Sequence, residues 1–159
     1  MLRLSALLPN SVEGTSALAP HLQFDAVVPP HVTVSADADL LEQALQNLTN
    51  NAIKYNRAEG LIRLTLGLEA DSAVVAVGNT GPGSSTENRP HVFERFFHGD
   101  RSRARHADTG VGLGLSLSRE IIRAHGGDLA LCPPRADGGW TEFVVRLPCA
   151  EAPATPSSA

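Results

Sequence analysis

Gln43, Asn47, Asn50, Asn51 and Lys54 recur at three- and four-residue steps within ADADLLEQALQNLTNNAIKYN, residues 36 to 56. A solvated helix face is usually built from Glu, Lys and Arg. This one is almost entirely carboxamide, with a single ammonium at its far end. Amides offer an acceptor oxygen and N–H donors without charge, which suits a hydrated cation beside a polar ligand, and the lysine suits an anion. A chance amide-rich exterior is the competing reading, and the other motifs have to decide between the two. GVGLGL, residues 110 to 115, opens a second helical stretch, so its N–H groups and helix dipole can hold a phosphate. No Gly-Lys-Ser/Thr follows, which excludes a P-loop. A basic loop instead of a strand precedes it, which excludes a dinucleotide fingerprint. In GNTGPG, residues 78 to 83, the Asn79 oxygen can accept from an exocyclic amine while Gly81 and Gly83 leave room for a flat ring. A plain turn has the same composition. Arg95, Arg101, Arg103, Arg105 and His106 lead directly into the glycine-rich helix start and resemble a lid over phosphates.

The elements that must position these groups follow from periodicity. Leu41, Ala44, Leu45, Leu48, Ala52 and Tyr55 form the apolar stripe of a helix over Asp37–Asn56, with Asp39–Glu42 as a capping box or Asp37 as the cap. His21–Val28 alternates as a half-buried strand that Pro29-Pro30 stops, and His31–Ser35 offers a short second strand. Leu61–Glu69 and Ala73–Val77 form a hairpin, with GNTGPG as the turn-rich segment after it. Val92, Phe93, Phe96 and Phe97 suggest one helical turn. The second long helix runs to about His125 and closes at Gly126-Gly127. Asp128–Leu131 and Thr141–Leu147 are strands joined by a turn at Gly138-Gly139. MLRLSALL reads either as the last turns of a helix or as a frayed terminus, broken in both cases at Pro9. Two hairpins and two long helices without strict βαβ alternation predict an α+β fold. The expected form is a two-layer α/β sandwich with a mixed sheet covered by helices on one face. The expected division is a linker or helix remnant at 1–20, one domain at 21–149 and a disordered tail at 150–159.

Composition narrows the function classes. A formal net charge of -4 carries no polyanion-binding signature, so nucleic acid is not an expected partner. No apolar run is long enough to span a bilayer, and the start is too short and polar for a signal sequence. The two cysteines lack ligand-spaced partners and the six histidines show no metal-ligand pattern. A reduced, cytoplasmic setting, no membrane contact and a monomeric chain are the expectations.

Taken in order, these motifs resemble the catalytic and ATP-binding domain of bacterial sensor histidine kinases, a branch of the Bergerat ATP-binding fold. NLTNNAIKYN is similar to the family's N box, GNTGPG to its first glycine box and VFERFFHGDRSR to its F box. GVGLGLSLSREIIRAHGG is similar to the second glycine box and GWTEFVVRLP to the closing strand. The resemblance covers about His31 to Pro148 and implies ATP and Mg²⁺ as cofactors. It implies that Asn51 coordinates the metal with Asn47 assisting, that Lys54 reaches a phosphate and that Tyr55 lines the pocket. Asn79 takes the adenine-reading position, above Gly81 and Gly83. Gly110, Gly112 and Gly114 lie on the phosphate side, Thr141 lies near the adenine end, and Phe97, Val111, Leu113 and Leu115 complete the nucleotide set. The resemblance places His98 and Arg101 among the catalytic residues, His98 at the position of an arginine that Arg101, Arg103 or Arg105 would have to replace.

Two departures matter, and a third position separates the subfamilies. Asn79 stands where the family usually has aspartate; its amide oxygen still accepts, at a loss of about 1 kcal/mol. His98 stands where an arginine commonly faces the γ-phosphate, and imidazole is a poorer partner for that charge. ATP-hydrolysing relatives carry a glutamate general base at the position of Asn47, which cannot act so at neutral pH. What remains is a module presenting Mg·ATP to an external nucleophile. The resemblance implies a histidine on a dimerisation domain, with a response regulator downstream, and none of the six histidines here has that motif context. A degenerate nucleotide-binding or partner-binding module, and a serine kinase of the anti-sigma-factor type, are the alternatives.

Overall fold

The computed structural model describes residues 1–81, 87–95, 114–136 and 138–150. The element order is β1 (Leu2–Arg3), α1 (Leu4–Leu18), β2 (Gln23–Val27), β3 (Thr33–Val34), α2 (Ala38–Lys54), β4 (Leu61–Glu69) and β5 (Ser72–Thr80). A short 3₁₀ turn at Arg89–His91 follows, then α3 (Gly114–Ala124), β6 (Asp128–Leu131) and β7 (Trp140–Pro148). Five strands form one mixed sheet in the order β2-β4-β5-β7-β6. β2 runs parallel to β4 and the other neighbours are antiparallel. β1 and β3 make a separate two-stranded ribbon.

Alternation along the strands explains the layering. Ile62, Leu64 and Leu66 of β4, Ala73, Val75 and Val77 of β5, and Phe143, Val145 and Leu147 of β7 face one side and are buried. They share a core with Leu41, Ala44, Leu45, Leu48 and Ala52 of α2 and with Ile121 and Ile122 of α3. The expected two-layer sandwich is the observed one. Asp37 caps α2, its side chain accepting from the Leu40 N–H at 3.0 Å. The Asp39–Glu42 capping box is therefore not the device used. Tyr55 is the C-cap residue and is 46% exposed, so the apolar stripe ends at Ala52.

Two expectations are corrected at the chain's first elements and at β5. Pro9 does not break the first helix: α1 runs from Leu4 to Leu18 with Pro9 inside it. An interior proline costs about 3 kcal/mol. Leu4 and Leu8 are both fully buried in the common core, and each such side chain returns about 1.5–3 kcal/mol. Burial therefore offsets the break, and residues 4–18 build the core instead of leading up to it. The segment at Gly78 is likewise no turn. β5 continues through Gly78, Asn79 and Thr80, held by β4 on one side and β7 on the other. Gly78 is required there because a Cβ would collide with the Trp140 indole, which lies over it. A 3₁₀ turn lies at Arg89–His91, with Pro90 inside it, and the helical turn expected over Val92, Phe93, Phe96 and Phe97 lies partly outside the described residues.

Leu8→Ala should lower unfolding free energy by about 2–5 kcal/mol in urea titrations, the range for emptying a closed core site. A variant as stable as wild type would show that α1 stands apart from the core.

Candidate functional site

α2 presents its stripe to the sheet and thereby fixes where its other residues point. Asn47 and Asn51 are half-buried at its margin, and Lys54 is exposed in its last turn. Asn51 makes no side-chain hydrogen bond to another described residue. Lys54 makes no ion pair among them, its ammonium resting 5.4 Å from the centre of the Tyr55 ring. Asn47 is differently placed: its Nδ2 donates to Gly114 O at 3.3 Å and to Ser118 Oγ at 3.2 Å on α3.

The sheet supplies the other wall. Ile62, Asn79 and Thr141 lie in one row across β4, β5 and β7 on the helix-facing side. Asn79 is 2% exposed and Thr141 9%. Asn79 Nδ2 donates to the Thr80 carbonyl at 2.8 Å, and because a carbonyl only accepts, the Asn79 oxygen is turned the other way. Gly81 closes this end. Its φ is +143°, and a Cβ there would stand 2.5 Å from the Tyr55 carbonyl. The end of α2 thus comes against the end of β5, which only glycine permits.

A second network fastens the same corner. Thr80 Oγ1 donates to Asn56 Oδ1 at 2.6 Å and accepts from Leu61 N at 2.8 Å, while Asn56 Nδ2 donates to Leu61 O at 3.1 Å. Asn56, Thr80 and Ser118 escaped the sequence reading. Asn56 sits just past the helix and Thr80 inside the glycine box, which is the only signal either carries. Ser118 gives none, since a serine in a helix usually faces solvent.

On the far side, Phe93 packs edge-on against Phe143, centroids 5.9 Å apart, and the Arg119 guanidinium stacks on it at 4.5 Å. Arg95 pairs with Glu120 at 2.8 Å, and that partner raises its pKa. The start of the F box is therefore anchored on β7 and α3. Burial and the neighbouring Glu142 push the Cys132 thiol up from its ordinary value, so it stays protonated at neutral pH and offers no nucleophile. Asp128 is held low: burial would raise it, but hydrogen bonds from Arg123 and the Leu129 backbone, with the charges of Arg123 and Arg119, outweigh that. Among the described residues there is no group of three or more His, Cys, Asp or Glu that could hold a metal ion.

The structure thus joins Asn47 to Gly114, sets Tyr55 against both Lys54 and Gly81, and pairs Asn79 with Thr141, with Asn51 on α2 between Asn47 and Tyr55. Leu115 packs against the core from the first turn of α3. Gly83, Phe97, His98, Arg101, Gly110, Val111, Gly112, Leu113 and the tail from 151 lie outside the described residues.

The model of the histidine kinase-, DNA gyrase B- and HSP90-like ATPase family matches residues 36–151. The chain belongs to that family. Within it, the chain is similar to sensor histidine kinases. It is 33% identical over 147 residues to TmoS of Ectopseudomonas mendocina, covering 92% of this chain and 15% of that protein. It is 40% identical over 114 residues to the probable sensor protein PcoS of Escherichia coli, covering 72% and 24%. With the probable sensor histidine kinase TcrY of Mycobacterium tuberculosis the figures are 33% over 146 residues, 91% and 30%. The chain therefore spans 15 to 30% of the length of these relatives. Its fold superposes on the mycobacterial sensor histidine kinase MprB with a TM-score of 0.82 at 26% identity, covering 93% and 97% of the two chains. Full-length ShkA in complex with AMPPNP gives 0.79 at 29% identity, covering 96% of this chain and 31% of that one. The chain is a histidine-kinase-type ATPase domain. Among the described residues no helix is long and apolar enough to cross a membrane.

Gly81→Ala should lose about 1–3 kcal/mol of stability through backbone strain at its positive φ and the clash with Tyr55. Gly114→Ala should be neutral or stabilising by up to about 1 kcal/mol, because a Cβ there meets only ordinary contacts at 3.8 Å with Asn47 in a helix. Thermal unfolding of the two variants side by side checks the contrast.

Proposed function

We propose that this domain binds Mg·ATP and donates the γ-phosphate to a histidine on a separate dimerisation and phosphoacceptor domain, as a protein histidine kinase of two-component signalling. The observation that carries the reading is the pairing on α2 of an Asn51 amide and a Lys54 ammonium, neither of which has a hydrogen-bond or ion-pair partner for its side chain among the described residues. The helix carrying them ends at Tyr55, whose carbonyl lies against Gly81 at the end of the strand that holds the buried Asn79.

In this reading Asn79 Oδ1 accepts from the adenine amino group and Thr141 supports the same edge. Gly81 and Gly83 admit the flat base, and Tyr55 lines its approach. Asn51 supplies the amide oxygen for Mg²⁺, a donor type this hard cation accepts. Bound there, the metal would neutralise charge on the phosphate oxygens. Lys54 reaches a phosphate, and the N–H groups of Gly110, Val111, Gly112, Leu113, Gly114 and Leu115 complete the anion site, with Phe97 at its rim. Arg101 supplies the remaining positive charge by its place in the sequence, and His98 stands in the same loop where an arginine is usual. Asn47, where a hydrolase would need a carboxylate, cannot activate water. The phosphate therefore waits for an external imidazole. The domain works in the cytoplasm, and its histidine-bearing partner is supplied in the same parent protein or in trans, with a response regulator downstream.

Titration with Mg²⁺ and a non-hydrolysable ATP analogue should give saturable binding at millimolar nucleotide or below. Asn51→Ala should weaken Mg²⁺-dependent binding about tenfold, the loss of one charge-assisted contact of roughly 1.5 kcal/mol. With a cognate dimerisation domain and labelled ATP, acid-labile phosphohistidine is expected. Acid-stable phosphoserine would assign the domain to the anti-sigma-factor branch, and no transfer at all to a nucleotide-binding module.

A further inference from the structure

The polar contacts between α2 and α3 converge on one buried hydroxyl. Ser118 is fully buried. Its Oγ lies 2.8 Å from Gly114 O on its own helix, 3.2 Å from Ala44 O on α2, and accepts from Asn47 Nδ2 at 3.2 Å. A hydroxyl has one proton and two lone pairs, so the Ser118 proton serves the two carbonyls while the oxygen receives the Asn47 amide. Asn47 Nδ2 also donates to Gly114 O at 3.3 Å. That carbonyl fixes the amide's orientation, because a flipped side chain would set oxygen against oxygen. The two acceptors lie only 2.8 Å from each other, so one N–H of Asn47 is shared between them and the Asn47 oxygen takes no part.

We propose that Asn47 and Ser118 form an interhelical clasp, in which Asn47 acts through its Nδ2 as a positioning residue holding the first turn of α3 against α2. The role rests on the nucleotide reading above and refines it. Asn51, one turn further along α2, keeps its amide for the ligand, while Asn47 sets how far the first turn of α3 stands from it. Ser118 is assigned no contact with the ligand, yet through Asn47 and Gly114 it completes the clasp. A metal ligand and a clasp predict different behaviour. Losing a ligand weakens nucleotide binding only when Mg²⁺ is present. Losing a clasp displaces the anion-binding turn and weakens binding whether or not the metal is there.

The test compares wild type, Asn47→Ala, Ser118→Ala and the double variant. The affinity of each for a non-hydrolysable ATP analogue is measured in saturating Mg²⁺ and again in EDTA, and thermal melts confirm cooperative folding. Asn47→Ser, too short to reach Gly114 O, stands in for Asn47→Ala if that variant does not fold, and Ser118→Cys does so for Ser118→Ala. Ser118→Ala should weaken binding about fivefold, one ordinary hydrogen bond's worth, by the same factor in both conditions. Asn47→Ala should do likewise, and the double variant should bind no more weakly than Asn47→Ala alone. The proposal is overturned if Asn47→Ala acts only in Mg²⁺, if Ser118→Ala binds as wild type, or if the two effects add. Wild type failing to bind in both conditions would instead remove the nucleotide reading itself, and the clasp's role with it.

Discussion

The rotation of α2 about its own axis governs everything else. Successive residues on a helix are turned by about 100°, so burying Leu41, Ala44, Leu45, Leu48 and Ala52 against the sheet leaves Asn47, Asn51 and Lys54 a single direction to face. A slip of one residue would carry the amides into the core. There they would lack partners and the leucines would stand in water, and both changes are unfavourable. The core is thus also the aiming device of the site, and no separate element is needed to point the amides.

What packing does for rotation, hydrogen bonds do for the ends. The side chain of Asp37 caps α2, while its N–H reaches His125 Nε2 at 3.1 Å, and His125 Nδ1 lies 2.7 Å from the Ile121 carbonyl. That pattern requires the Nδ1–H tautomer, donating to Ile121 and accepting from Asp37. At the other end Asn56 and Thr80 bind α2's exit to β4 and β5. Between them, Asn47 and Ser118 join α2 to α3. Apolar contacts are tolerant of small slides, whereas these bonds lengthen and weaken steeply. The helix pair is consequently held in one register, which a site reading fixed phosphate spacing requires.

Elements with a single strong periodicity were legible in the residues alone. The α2 stripe, the alternation of β4 and β7 and the glycine pair closing α3 all appear where spacing places them, because one face of each element meets one core. α1 was hidden by a local rule: Pro9 signals a helix stop, and only tertiary burial of Leu4 and Leu8 overrides it. The extension of β5 was hidden because glycine and asparagine are turn residues by composition. Here Gly78 is demanded by the overlying Trp140, and Asn79 by the row it shares with Thr141. The candidate site divides in the same way. Asn51, Lys54, Asn79 and Gly81 carry chemistry in their own side chains or backbone and could be named early. Ser118 acquires meaning only from the carbonyls that α2 and α3 bring to it.

Trp140 is the one tryptophan in the chain. It lies on the sheet surface away from the helices, between the guanidinium groups of Arg63 at 5.8 Å and Arg135 at 4.8 Å, and its indole N–H donates to Glu142 at 3.2 Å. Its backbone neighbour Thr141 looks into the opposite layer, beside Asn79. Emission from a single indole in such a setting depends on the charges around it. The molecule therefore carries an intrinsic optical reporter mounted behind its own site. It is linked through one peptide bond to Thr141 and separated by the thickness of the sheet from the layer into which Thr141 and Asn79 face.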